Sequence, residues 1–215
     1  MTAGSNIRYS DSVTVFNEEK LQHGDGASGL THAFGVDLAP NKYWTYGVNL
    51  ESGNITDDIV GDFDRRAAGL SIGYVRNETR YASNLEFRRE KSSDQNREDN
   101  RRTWLWRNNY SHLVDPNWRY LGRLNLSYSE ASQGAFYDGN FVEWVNGFAY
   151  RPVANDKLNT LFKYTYFYDL PSAGQLSAAG SIANYAQRSH VFSADGAYDL
   201  LPWLTLGAKY AYRRG

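Results

Sequence analysis

The chain has 215 residues, a formal net charge of −1 and no cysteine. A length of this order fits one domain, and the lack of cysteine excludes a disulfide framework and a thiolate metal site. The balanced charge, without a basic stripe, argues against a nucleic-acid partner. Mean hydropathy is −0.63, and no apolar run approaches the roughly 18 residues that a transmembrane helix needs.

Segments with period-two alternation, rich in Tyr, Phe, Trp, Val and Thr, follow one another along the chain. This pattern predicts β-strands, and no segment has a competing helical period. The first segment alternates poorly, and the first 10 residues are a candidate for a further strand. We therefore predict about 11–12 strands, of which eleven span 11–23, 28–39, 43–53, 64–76, 79–91, 100–114, 117–131, 139–152, 157–169, 185–199 and 203–213.

The connections between these segments alternate in length. Tight turns are predicted at residues 41–42, 76–78, 115–117, 155–156 and 201–202, where Asn, Asp and Pro favour turns. Longer polar loops are predicted between them, at residues 53–63, 92–99, 133–139 and 171–184. Short turns at one end and long loops at the other are typical of outer-membrane β-barrels, in which the short turns are periplasmic.

Aromatic residues lie toward both ends of the predicted strands, on the apolar parity. Tyr128 follows Trp118 by ten residues, close to the 9–11 residues that a tilted strand needs to cross the hydrocarbon. Rings with a polar edge prefer the headgroup level, so two belts of this spacing predict membrane girdles. The predicted membrane-interface aromatics are Trp44, Tyr74, Tyr81, Trp118, Tyr128, Trp144, Tyr150, Tyr166, Tyr198, Trp203 and Tyr212.

The opposite parity carries charged residues of both signs. A soluble core could not hold so many charges, because each buried charge must be paired or costs several kcal/mol. The solvated outer face of a β-sandwich could hold them, so that alternative stays open. In a barrel they would face the lumen, and the predicted pore-lining candidates are Asp37, Glu51, Glu86, Arg88, Arg107, Arg119, Arg123, Glu143, Lys163, Asp195 and Lys209.

No catalytic, metal or cofactor motif is predicted. The four histidines, His23, His32, His112 and His190, are scattered without metal-ligand spacing. Ser189 and His190 are adjacent, which directs their side chains to opposite faces of a strand and excludes a nucleophile–base pair. Four aspartates at positions 57, 58, 62 and 64 lack the EF-hand spacing and are interpreted as a solvated acidic loop.

Three segments resemble a known family. They are residues 155–168, the run Gln187-Arg188-Ser189-His190, and residues 199–210 with Leu201-Pro202-Trp203-Leu204. They resemble the C-terminal barrel of large proteobacterial outer-membrane proteins, in which repetitive extracellular-type domains precede the barrel. The resemblance covers most of the chain and brings no catalytic motif. It implies further strands and an aromatic C-terminus in the family, so we expect this chain to be truncated.

Together these observations predict an all-β, antiparallel up-and-down transmembrane β-barrel in the bacterial outer membrane. Residues 1–215 form a single β-barrel domain that is a fragment of a larger barrel. The predicted function is a pore for small hydrophilic solutes or a membrane anchor for attached domains, without enzymatic activity or cofactor. The expected partners are the lipid bilayer and the barrel-assembly machinery, and no sequence feature specifies an oligomeric state. The alternatives are an outer-membrane enzyme with a rim site and a soluble all-β binding module.

Overall fold

A computed structural model describes residues 1–24, 27–57, 61–94, 97–131, 139–171 and 187–215. These residues form twelve strands. The strands are β1 Thr2–Ser10, β2 Val13–Gly24, β3 Ala27–Leu38, β4 Trp44–Asp57, β5 Gly61–Arg76, β6 Thr79–Asp94, β7 Arg97–Leu113, β8 Trp118–Ala131, β9 Gly139–Tyr150, β10 Leu158–Pro171, β11 Gln187–Leu201 and β12 Leu204–Arg214.

The strands form one antiparallel sheet in sequence order, from β1 at one edge to β12 at the other. Each strand pairs with the strand before it and the strand after it, which is the up-and-down topology predicted from the sequence. The predicted all-β fold class is therefore confirmed. Among the described residues, β1 pairs only with β2 and β12 pairs only with β11.

Strand β1 is the further strand for which the first 10 residues were a candidate. The first of the eleven predicted strands begins at residue 11. The structure adds Thr2–Ser10, which pairs with β2, for example Ile7 opposite Val15. The strand begins with small polar residues that have weak β-propensity. The hydrogen-bonded ladder with β2 therefore stabilises β1 more than the β-propensity of its own residues does. The first 10 residues thus supply the twelfth strand.

Two of the predicted long loops are wrong. Residues 53–57 and 61–63 belong to β4 and β5, and residues 92–94 and 97–99 belong to β6 and β7. Polar residues predicted a loop there, but a strand whose two faces both meet water has no need of apolar alternation. The other two predicted loops lie largely outside the described residues, at 133–138 and 172–184.

Side-chain and backbone geometry fixes three of the five predicted tight turns, whereas the one predicted at 155–156 is wrong, because residues 151–157 form a longer connection between β9 and β10. Asn41 Oδ1 accepts the backbone N–H groups of Tyr43 and Trp44 at 2.9 and 3.1 Å. Asp115 Oδ1 accepts the N–H of Trp118 at 3.0 Å in the same way. Asn77, with φ of 40°, takes the left-handed conformation in the two-residue connection between β5 and β6. These residues favour turns for the local reasons that the sequence suggested.

The described residues form no second layer of structure against the sheet. Large apolar side chains are consequently exposed: Leu50 is 55% exposed, Phe192 is 55% exposed and Trp144 is 48% exposed. No helix within the described ranges is long and apolar enough to span a membrane. A soluble monomer rarely leaves so extensive an apolar surface in water.

Candidate functional site

The pairing register sorts the side chains onto two faces of the sheet. In an antiparallel sheet, directly opposite residues point to the same side. Glu51 and Arg88 are both opposite Ala67, while Asn125 is opposite both Arg107 and Glu143. By this register all eleven predicted pore-lining residues lie on one face, which we call the charged face.

The other face, which we call the apolar face, carries the predicted interfacial aromatics. Trp44 is opposite Tyr74, and Tyr74 is opposite Tyr81. Trp144 is opposite Tyr166, and Tyr198 follows on the same face of β11. Trp203 is the exception among the eleven, because it occupies the turn between β11 and β12 and is 79% exposed.

Rings on the apolar face pack against one another across neighbouring strands. Ring centroids are 4.6 Å apart for Trp44 and Tyr74 and 4.5 Å apart for Trp118 and Tyr150, near the tight turns. Such tilted pairs each contribute roughly 0.5–1.5 kcal/mol beyond area burial. The pairs stiffen this level of the sheet but leave the outer surfaces of the rings uncovered.

Ion pairs connect strands β4 to β7 on the charged face. Glu90 is only 2% exposed and lies between two arginines. Arg65 Nε is 3.4 Å from Glu90 Oε1, and Arg101 Nε donates to Glu90 Oε2 at 2.6 Å. The Arg65 Nε group also lies 3.9 Å from Glu51 Oε1 but makes no well-directed hydrogen bond among the described atoms. Its attraction to both carboxylates is therefore mainly electrostatic.

A second carboxylate, Glu86, continues this network toward the middle of the sheet. Arg88 Nε donates to Glu86 Oε1 at 3.0 Å, and Arg107 lies 3.5 Å from Glu86 Oε2. Beyond it, Asn125 Nδ2 donates to Glu143 Oε2 at 2.6 Å. Mutual pairing thus satisfies most of these charged groups.

Two cavities lie on the charged face, one lined by residues from β7 to β12 and the other by residues from β5 to β10. A cavity of about 990 Å³ is lined by residues that include Leu121, Leu161 and Lys209. A second cavity of about 630 Å³ also touches Leu121 and Leu161, and Arg123 and Lys163 line it together with Glu143. The two cavities thus share a lining and are bordered by charges of both signs.

Sequence reasoning missed three members of the ion-pair network, Arg65, Glu90 and Arg101. All three lie within predicted strands and on the parity of the predicted pore-lining residues. The parity of Glu86 and Arg88 extends to Glu90 two residues later, so continued alternation was the signal that could have identified it.

The histidines do not converge in the structure. His112 Nδ1 is hydrogen-bonded to Thr79 Oγ1 at 2.9 Å, and His190 Nδ1 to Tyr164 Oη at 2.9 Å. His32 lies 3.4 Å from Glu19 on a neighbouring strand. Within the described ranges, no three His, Cys, Asp or Glu residues are grouped so that they could hold a metal ion. Of the acidic cluster, Asp62 accepts a hydrogen bond from Thr56, and residue 58 lies outside those ranges.

No protein-family model matches the chain, and no curated protein sequence matches it. Similar solved structures include the outer membrane channel DcaP of Acinetobacter baumannii, at 12% identity and a TM-score of 0.61. The likeness covers 98% of this chain and 62% of that one. A BenF-like porin from Pseudomonas fluorescens Pf-5 has 13% identity and a TM-score of 0.57, covering 98% of this chain and 61% of the porin.

Pseudomonas aeruginosa OccK5 (OpdH) is similar over 97% of this chain and 64% of its own, at 10% identity and a TM-score of 0.50. The chain thus spans less than two thirds of the length of these proteins. At such low identity the likeness shows the fold, which is that of bacterial outer-membrane β-barrels. That fold agrees with the exposed apolar face.

Proposed function

We propose that the chain forms wall strands of an outer-membrane pore for small hydrophilic solutes. The observation that carries this proposal is the opposition of the two faces. The apolar face exposes Leu50, Trp144 and Phe192, which lipid would cover, and the charged face bears the network around Glu86 and Glu90. Charged side chains on a lipid-facing surface are destabilising, so the charged face meets an aqueous interior.

The lining of this interior supports weak charge selection. Arg123 and Lys163 border the same cavity as Glu143, while Asp195 and Lys209 lie 3.5 Å apart across β11 and β12. Such a mixture of signs offers hydrogen bonds to polar solutes without a strong field of one sign. The three similar channels are longer than this chain, so its solutes are proposed from its own residues alone.

The ion-pair network favours a second candidate, a membrane anchor for attached domains. Glu90 and Glu86 each contact two arginines, and a wall of neutralised, interlocked charges would also suit a plugged barrel. In that case the barrel would hold attached domains at the surface and conduct no solute.

Closure of the barrel forms part of the proposal. An unpaired strand edge is not tolerated in lipid, where no water can satisfy the backbone groups. The outer edges of β1 and β12 therefore need partners, and we propose that these twelve strands are a fragment of a larger barrel that further strands close. The barrel-assembly machinery would insert it. The experiments below accordingly require the closed barrel, in which this chain is present together with the strands that complete it.

The first test is extraction and heat-modifiability of the purified chain. A membrane barrel requires detergent, is rich in β-structure and migrates differently on a gel before and after boiling. A water-soluble β-protein whose mobility does not change would refute the membrane proposal and favour the binding-module alternative.

Conductance in a planar bilayer then separates pore from anchor. An open pore gives channels whose reversal potential, in a salt gradient, moves toward cation selectivity when Arg123→Glu and Lys163→Glu replace two cavity-lining cations. Lys42→Glu, in an exposed turn, is the control and should leave the reversal potential unchanged. A heat-modifiable barrel without conductance would support the anchor and exclude the pore.

A further inference from the structure

Three Arg-Arg pairs occur on adjacent strands at matching register: Arg65-Arg66 on β5, Arg88-Arg89 on β6 and Arg101-Arg102 on β7. Because side chains alternate along a strand, one arginine of each pair points to the charged face and the other to the apolar face. The three on the charged face are neutralised by Glu51, Glu86 and Glu90. The other three arginines, Arg66, Arg89 and Arg102, lie on the apolar face and are exposed.

Arg66, Arg89 and Arg102 form a row across three strands. Arg66 is directly opposite Arg89, and Arg89 is directly opposite Arg102, so neighbouring Cα atoms lie about 5 Å apart. All three side chains are exposed. Within the part of the chain that the structure describes, none of them takes part in an ion pair or a side-chain hydrogen bond. We call these three residues the outer arginine row.

Acidic residues near the row offset only part of its charge. Glu130 is directly opposite Arg102 and can offset one of the three charges, although the two side chains form no ion pair and the carboxylate accepts a hydrogen bond from Tyr128 Oη at 2.6 Å. Asp64, two residues from Arg66 on the same face, is exposed and pairs in register with Lys91. Like charges directly opposite one another destabilise a sheet. Among the side chains that the structure describes, Arg66 and Arg89 therefore have no acidic residue directly opposite them.

The position of the row along the strands indicates where a counter-ion would come from. The residues that precede the row on the apolar face, toward the turns, are Ala68, Phe87 and Trp104, which are themselves opposite one another. Trp104 packs on Phe87 with centroids 4.6 Å apart, so the row lies immediately beyond an aromatic level. Aromatic belts mark the headgroup region of a membrane. The row also lies toward the end of the sheet that carries the two longest connections, residues 132–138 and 172–186, and the longer loops lie on the outer side in barrels of this fold.

We propose that the outer arginine row binds a phosphorylated lipid headgroup of the outer leaflet, the phosphate of a lipid A-type glycolipid. The proposal rests on the membrane placement proposed above. Arginine suits this ligand because its planar guanidinium binds phosphate oxygens through two parallel hydrogen bonds. Three such groups at headgroup level, with Glu130 as their one acidic partner in register, carry an excess of positive charge that matches a multiply charged phosphate beside the barrel wall. The bound lipid would neutralise the row and link β5, β6 and β7 on their outer surface.

The test uses the full chain, purified in a neutral detergent. Native mass spectrometry counts bound lipid while the protein is titrated with diphosphoryl lipid A, with its dephosphorylated form and with inorganic phosphate. The triple variant Arg66→Gln, Arg89→Gln, Arg102→Gln is compared with a control that removes three exposed cations at the turn end, Lys42→Gln, Arg151→Gln, Lys157→Gln. Arg89→Gln alone serves if the triple variant does not fold.

The native chain and the control should bind diphosphoryl lipid A more tightly than the dephosphorylated form. The triple variant should lose affinity on the order of 100-fold, and Arg89→Gln roughly fivefold, from the usual contribution of a cation beside an anionic surface. Equal binding by the triple variant and the native chain would overturn the proposal, as would indifference to the lipid phosphates. Competition by inorganic phosphate at similar concentration would identify a free-anion site and also overturn it. A heat-dependent gel shift in all variants shows that the barrel is intact. Loss of the lipid-binding proposal in an intact barrel would therefore leave the membrane proposal standing, whereas absence of the shift would refute the membrane proposal itself.

Discussion

The buried carboxylate of Glu90 offers a quantitative test of the charged face. Glu90→Gln keeps the shape of the side chain but removes the charge that faces Arg65 and Arg101. Breaking a buried ion pair costs about 3–5 kcal/mol. Glu90 is 2% exposed, and the two arginine side chains retain 23% and 22% exposure. Since this exposure lets water screen the remaining cations, we expect a loss of about 3 kcal/mol, near the low end of that range.

The assay is reversible urea unfolding of the chain in lipid vesicles or detergent, followed by tryptophan fluorescence. Glu51→Gln is the matched control, because Glu51 lies 3.9 Å from the same arginine but is 32% exposed, and it should cost less than about 1 kcal/mol. Combining Glu90→Gln with Arg65→Gln should destabilise by about 1 kcal/mol less than the sum of the single changes. If Glu90→Gln costs no more than Glu51→Gln, the reasoning about this network is refuted.

Two further predictions concern the backbone. Asn77 has a φ of 40°, so Asn77→Gly should leave the free energy of unfolding nearly unchanged. Asn77→Val should lower it by about 1–2 kcal/mol, because a branched side chain resists the left-handed backbone conformation. Equal stabilities of the two variants would contradict this. A Cβ on Gly53 would overlap the backbone oxygen of Leu30, but one on Gly196 has no atom nearer than 3.9 Å. Gly53→Ala should therefore lower the free energy of unfolding, measured in urea, by about 1–3 kcal/mol and Gly196→Ala far less; a reversed order would exclude the steric explanation.

The sequence predicted the strands well where one face is apolar. In β8 and β12, regular alternation specified both the element and its two faces, because the period of a strand is two. It left β1 open, because the small polar residues of β1 form a strand through their ladder with β2. It failed at the ends of β4 to β7, where both faces are polar and alternation carries no signal.

The ion-pair partners were only partly predictable. A two-residue turn at Asn77 and Glu78 fixes the register of β5 and β6, and hence places Arg65 opposite Glu90. The partner on the other side, Arg101, requires the register of β6 and β7. The sequence suggested a long loop there, and a long loop leaves the register open. The outer arginine row depends on the same two registers and was therefore not apparent from the sequence.

The central claim is that one face of the sheet meets lipid and the other meets water. The chain contains no cysteine, so single cysteines report on their own positions. Ser71→Cys and Ser127→Cys place a thiol on the charged face, while Leu70→Cys and Leu126→Cys place one on the apolar face of the same strands. In lipid vesicles, a hydrophilic maleimide should label the first two at least about tenfold faster than the second two, because a thiolate forms and reacts in water. Equal labelling of adjacent positions, or faster labelling at Leu70 and Leu126, would contradict the claim.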